Sequence, residues 1–127
     1  MTVKTCLLVT DDPDDHQTFS EALAEISDDA IVLNVLDSQK ALKFLNAKKY
    51  APDYIFLDLS MNGVRVNEFL NSIRSDQHLI RIPTVVYGDR KEFDDISHYD
   101  ELMFFDKDYE YSELKNFLAE FIRPKGV

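Results

Sequence analysis

The sequence predicts an α/β fold, a doubly wound five-stranded parallel sheet of order 2-1-3-4-5 with helices on both faces. Two observations predict it. Short apolar runs and amphipathic segments alternate from one end of the chain to the other. The apolar runs also lack strict polar alternation, as strands covered on both faces do. Parallel strands joined in this way require right-handed crossovers.

The elements follow in order. Thr5–Thr10 is a first strand, and Asp12-Pro13 after it reads as a helix N-cap with proline in the first turn. The helix expected over Asp14–Ile26 sets Phe19, Leu23 and Ile26 on one side. Asp14 and Asp15 fall in its first turn, where solvated acidic side chains suit the helix dipole. Ile31–Leu36 is the second strand, and Ser38 is the expected cap of a helix over Gln39–Lys48. Tyr54–Leu59 is the third strand, followed by a helix over Asn67–Arg74. Ile82–Tyr87 is the fourth. The polar stretch after it carries at most one short helix, around Glu92–Ser97. Leu102–Phe105 is the fifth strand. Glu113–Ile122 is the last helix, which Pro124 and Gly126 close.

Bulk properties exclude several classes. The 127 residues suit one domain, and 45% hydrophobic content fills a single core. With 24 acidic and 14 basic residues the net charge is −10, which repels nucleic-acid phosphates and anionic membranes. No apolar run approaches the ~20 residues of a membrane span, and the N-terminus turns acidic too early for a signal peptide. Cys6 is the single cysteine, so no internal disulfide forms, and it reads as a small core residue. A cytoplasmic protein is expected. The tyrosines are scattered and read as ordinary packing and surface. The three histidines suggest no metal pair.

Four residues carry the chemistry. Asp11 and Asp12 follow the first strand, Asp58 lies near the end of the third, and Lys107 follows the fifth. In a 2-1-3-4-5 sheet the first and third strands flank the topological switch point, where ligands bind at the carboxyl ends. Carboxylates gathered there would repel one another unless a cation relieves them. Oxygen ligands of this kind suit a hard divalent ion such as Mg²⁺.

With VTDDPDD, IFLDLSM, Ile82-Pro83 and FFDK in this order, the chain resembles the receiver domain of two-component response regulators over essentially its whole length. The resemblance implies a flavodoxin-like receiver fold over residues 1–127, with no output domain. It implies Asp58 as phosphoacceptor. Asp12, Asp58 and the backbone carbonyl of Ser60 would hold Mg²⁺ directly, Asp11 through bound water. Lys107 would stabilise the phosphoryl group. The implied partners are a sensor histidine kinase or histidine phosphotransfer protein and a downstream protein target, and receivers often form homodimers through the fourth-helix and fifth-helix face. The protein would assist its own phosphorylation without acting as an enzyme on outside substrates.

Several positions depart from the family pattern. Gly88 and Asp89 stand where a Ser or Thr and a small residue are usual at the end of strand four. The hydroxyl that donates to the phosphoryl group is thereby lost, and a negative charge is added. Arg90 is a candidate to compensate. Asp108 replaces the proline after the lysine, and a trans bond is expected there. Asn62 and Val66 replace the usual proline and glycine after the acceptor, with Gly63 available for the turn. The stretch from Gly88 to Lys107 is about three residues short of the norm. Phe104 falls at the aromatic switch position, with no hydroxyl to follow. The alternative is therefore a degenerate receiver, a phosphorylation-independent binding module. A flavin protein is disfavoured because DDPDDH would repel a flavin phosphate. A phosphatase with Asp12 and Asp14 as its pair fits less well, given Asp58 and the short chain.

Overall fold

Hydrogen bonding between parallel strands sets the architecture. The computed structural model describes residues 4–47, 51–61, 66–94 and 102–121. The strands are β1 (Lys4–Val9), β2 (Ala30–Val35), β3 (Tyr54–Asp58), β4 (Thr84–Gly88) and β5 (Met103–Asp106). They form one parallel sheet of order β2-β1-β3-β4-β5, as expected. The helices are α1 (Pro13–Ile26), α2 (Ser38–Asn46), α3 (Val66–Arg74), α4 (Arg90–Asp94) and α5 (Tyr111–Phe121), and a short 3-10 helix spans Leu79–Arg81.

The strand pleat sorts the core into two halves. Leu7, Val9, Ile55, Leu57 and Val86 face α2 and α3, where they meet Ala41, Leu45, Phe69, Leu70 and Ile73. Cys6, Leu8, Phe56, Val85 and Tyr87 face α1 and α5, where they meet Phe19, Ala22, Leu23, Leu114 and Leu118. Both faces of the central strands are thus covered, which explains why they read as continuous apolar runs.

Helix starts follow local chemistry. Asp12 caps α1, its carboxylate accepting from the Asp14 N–H at 2.9 Å, with Pro13 next. The cap of α2 is Asp37, not Ser38: its carboxylate accepts from the Lys40 N–H at 2.7 Å, while Ser38 is buried in the first turn. The helix after β4 begins at Arg90, earlier than expected, because Asp89 and Glu92 form a capping box. The Asp89 carboxylate accepts from the Glu92 N–H at 2.8 Å, and the Glu92 carboxylate accepts from the Asp89 N–H at 3.0 Å. Residues 95–97 of the expected short helix, Asn62, Gly63, and the Pro124 and Gly126 stop lie outside the described residues.

Candidate phosphoacceptor site

The carboxyl ends of β1, β3, β4 and β5 meet at one edge of the sheet, and the site is built there. Asp58 is the last residue of β3, paired with Tyr87 of β4 and 1% exposed. A buried carboxylate needs partners, and Asp58 has three. Its Oδ2 accepts from the Thr10 hydroxyl at 2.8 Å, and its Oδ1 accepts from the Ser60 N–H at 2.8 Å. The Lys107 Nζ stands 3.3 Å from both oxygens. Lys107 is placed by its own N–H, which donates to the Gly88 carbonyl at 2.8 Å just past β5. Asn34 of β2 secures the end of β1, donating from its side-chain amide to the carbonyls of Leu8 and Thr10 at 3.0 and 3.1 Å.

Asp58 and Lys107 are therefore brought together as expected. Asp11 is exposed, and Asp12 caps α1 through one carboxylate oxygen. The correction concerns Asp15, expected in solvent. It is 8% exposed, and its Oδ2 lies 3.3 Å from the Lys107 Nζ and accepts from the Tyr87 hydroxyl at 3.1 Å. Tyr87 is likewise more than packing: it is fully buried with its hydroxyl aimed at the site. The Thr10 hydroxyl is 3.5 Å from Asp15, but its single proton is directed at the nearer Asp58 oxygen. One signal was available for Asp15. It precedes Phe19 by four residues and Ala22 by seven, so it belongs to the buried stripe of α1.

The electrostatics follow from burial and pairing. Burial lowers the affinity of Lys107 for its proton, but Asp58 and then Asp15 outweigh it and hold the ammonium above the ordinary lysine value. Burial raises Asp15 above the ordinary carboxylate value, against the pull of Lys107 and the Tyr87 hydroxyl. Burial, then the charges of Asp58 and Asp15, push the Tyr87 phenol far up, so its proton stays in place as a donor.

The divergent positions are resolved in detail. A Cβ on Gly88 would stand 2.6 Å from the Glu92 Oε1 and 2.9 Å from the Leu59 Cβ. The space of the missing side chain is thus closed by Leu59 and by a carboxylate. Glu92 brings a negative charge to the acceptor loop, its Oε1 accepting from the Ser60 hydroxyl at 3.1 Å. The Arg90 guanidinium lies 4.8 Å from the centre of the Phe104 ring and 5.8 Å from that of Phe93. Phe104 also stacks on Phe93, with ring centres 4.5 Å apart. After Lys107, the Asp108 N–H donates to the Asp106 carboxylate at 2.9 Å, a bond a proline could not make.

Among the described residues, no group of three or more His, Cys, Asp or Glu is arranged to hold a metal ion. Mg²⁺ does not need such a cage. It keeps several waters and takes one or two carboxylates. The donor chemistry fits that open kind of site, with a buried carboxylate at Asp58 and an exposed one at Asp11.

Comparison with known proteins agrees with this fold. No protein-family profile and no curated protein matches the chain. Solved structures do. The phosphorylated cyanobacterial phytochrome response regulator RcpA is 30% identical, with a TM-score of 0.78 over 94% of this chain and 91% of that one. The bacteriophytochrome response regulator RtBRR is 26% identical, with a TM-score of 0.76 over 99% of this chain and 82% of that one. The Mn²⁺-bound form of response regulator Rcp1 is 22% identical, with a TM-score of 0.81 over 98% of both chains. This chain belongs to the receiver domains of response regulators. Among the described residues, no helix is long and apolar enough to cross a membrane.

Proposed function

We propose that this receiver takes a phosphoryl group onto Asp58 from a phosphohistidine and signals by protein contact. The observation that carries the reading is the Asp58 carboxylate, buried at the switch point and held by Thr10, the Ser60 N–H and Lys107. In the transfer, an Asp58 oxygen attacks phosphorus and the bond from phosphorus to the histidine nitrogen breaks. The imidazole leaves with the electron pair and takes up a proton. Lys107 neutralises charge on the transferring oxygens, a contribution to electrostatic stabilisation made by a pre-placed cation. Asp11, Asp58 and the Ser60 carbonyl would hold Mg²⁺, which supplies further neutralisation of the phosphoryl oxygens when bound. Asp12 caps α1 through Oδ1 alone, which leaves its second carboxylate oxygen to join them. The donor would be a sensor histidine kinase or a histidine phosphotransfer protein, and the protein is not an enzyme toward outside substrates.

The closed space at Gly88 favours a second reading. With Glu92 and Leu59 where a hydroxyl-bearing side chain would stand, a phosphoryl group finds no hydroxyl from β4. A degenerate receiver that binds its partner without phosphorylation is consistent with that. Incubation with Mg²⁺ and acetyl phosphate, read by intact mass, separates the two. The expected result is one phosphoryl adduct on the wild type and none on Asp58→Asn. A folded protein that takes no adduct from acetyl phosphate or from phosphohistidine donors supports the degenerate reading instead.

A further inference from the structure

Lys107 makes three contacts of equal length, each 3.3 Å: two to Asp58 and one to Asp15. Charge-assisted contacts of a fully committed pair run at about 2.7–2.9 Å. The ammonium is therefore shared between two carboxylates that arrive from different elements, β3 and α1. A lysine side chain is a flexible stem, and a single partner leaves it free to pivot around that partner. A second partner on another element fixes its direction. Asp15 is itself backed by the Tyr87 hydroxyl from β4, in a pocket where it is 8% exposed. The charged and titratable groups facing Asp15 are Lys107, Tyr87 and Asp12, with the Tyr109 ring also within electrostatic reach.

We propose that Asp15 is a positioning residue for Lys107, the second carboxylate that keeps the ammonium from collapsing onto Asp58 and holds it where an incoming phosphoryl oxygen can capture it. The inference rests on the reading of Asp58 as phosphoacceptor. Without Asp15, Lys107 closes on Asp58 alone. The Asp58 oxygens become poorer nucleophiles and the cation is no longer aimed at the incoming group. Both effects slow phosphoryl uptake.

Asp15→Asn is the informative change, because the amide still accepts from Tyr87 while its charge is gone. Phosphorylation by acetyl phosphate with Mg²⁺ is expected to slow at least several-fold. In a Lys107→Ala background the same change is expected to have no further effect, since its target is absent. Wild-type rates in Asp15→Asn, or an equal slowing in both backgrounds, would overturn the proposal. A second readout does not depend on phosphorylation. The ¹⁵N resonance of the Lys107 ammonium is expected to shift in Asp15→Asn. If the wild type takes no phosphoryl group, the phosphoacceptor reading fails, and this resonance still decides the positioning: a shift upholds it and an unchanged signal overturns it. Should Asp15→Asn fail to fold, Tyr87→Phe removes only the hydroxyl behind Asp15. It is expected to move the same resonance, and no movement would count against the proposal.

Discussion

Cys6 lies on the α1 side of β1 at 1% exposure, and burial, then the charge of Asp53, pushes its thiol up to about 12 from 9.0. A folded value above the unfolded one means stability that is complete below pH 9.0 and is lost as pH rises towards about 12. Denaturant midpoints measured across that window are expected to fall less steeply for Cys6→Ala than for wild type, and thiol reagents are expected to label Cys6 only after unfolding. At the acidic edge, burial assigns roles that residue type does not. Asp14 is exposed in the first turn of α1, whereas Asp15 beside it is buried against Tyr87 and Lys107. Tyr87→Phe leaves the Asp15 carboxylate without its hydroxyl donor. Urea unfolding is expected to show a loss of about 1–3 kcal/mol. A change within error would mean that water reaches Asp15 as readily as the phenol does.

Helix boundaries depend on single side chains. Asp37→Ala removes the α2 cap and is expected to cost ~1 kcal/mol in unfolding experiments, whereas Ser38→Ala tests packing rather than capping. Both residues are good caps by type, so the distinction was not legible from the sequence. The phase of the helix decided it. The β4–α4 junction is the element-scale divergence with functional weight. Threonine at Gly88 would restore the family's hydroxyl but meets the Leu59 Cβ and the Glu92 carboxylate. Gly88→Thr is therefore expected to destabilise the free protein by about 1–3 kcal/mol, as overpacking does. Adding Glu92→Ala is expected to recover only part of that, because the contact with Leu59 remains. Full recovery in the double variant would show that β4 and the acceptor loop move apart easily. The early start of α4 was missed because Asp89 reads as a stray charge until Glu92 is seen to answer it across one helical turn.

Across the whole molecule, a net charge of −10 on 127 residues works against compactness. The Debye length shortens from about 30 Å at 0.01 M to about 8 Å at 0.15 M salt. The melting temperature is expected to rise over that range, and a flat response would mean that Lys and Arg already interleave the acidic groups well enough. The sheet order, the two-sided core and the meeting of Asp58 with Lys107 all follow from the sequence. Apolar periodicity determines strand and helix locally, and the handedness of parallel crossovers leaves little freedom in how they assemble. That logic brings the ends of β1, β3 and β5 to one edge with no knowledge of any side-chain distance. Only the tertiary structure decided which acidic residue faces Lys107, that Thr10 and Tyr87 serve the site, and that Glu92 closes the space beside Gly88. The physical reason is range. Periodicity is set by neighbours along the chain, whereas these pairings join residues remote in sequence and are settled within an ångström or so by how helices and strands pack.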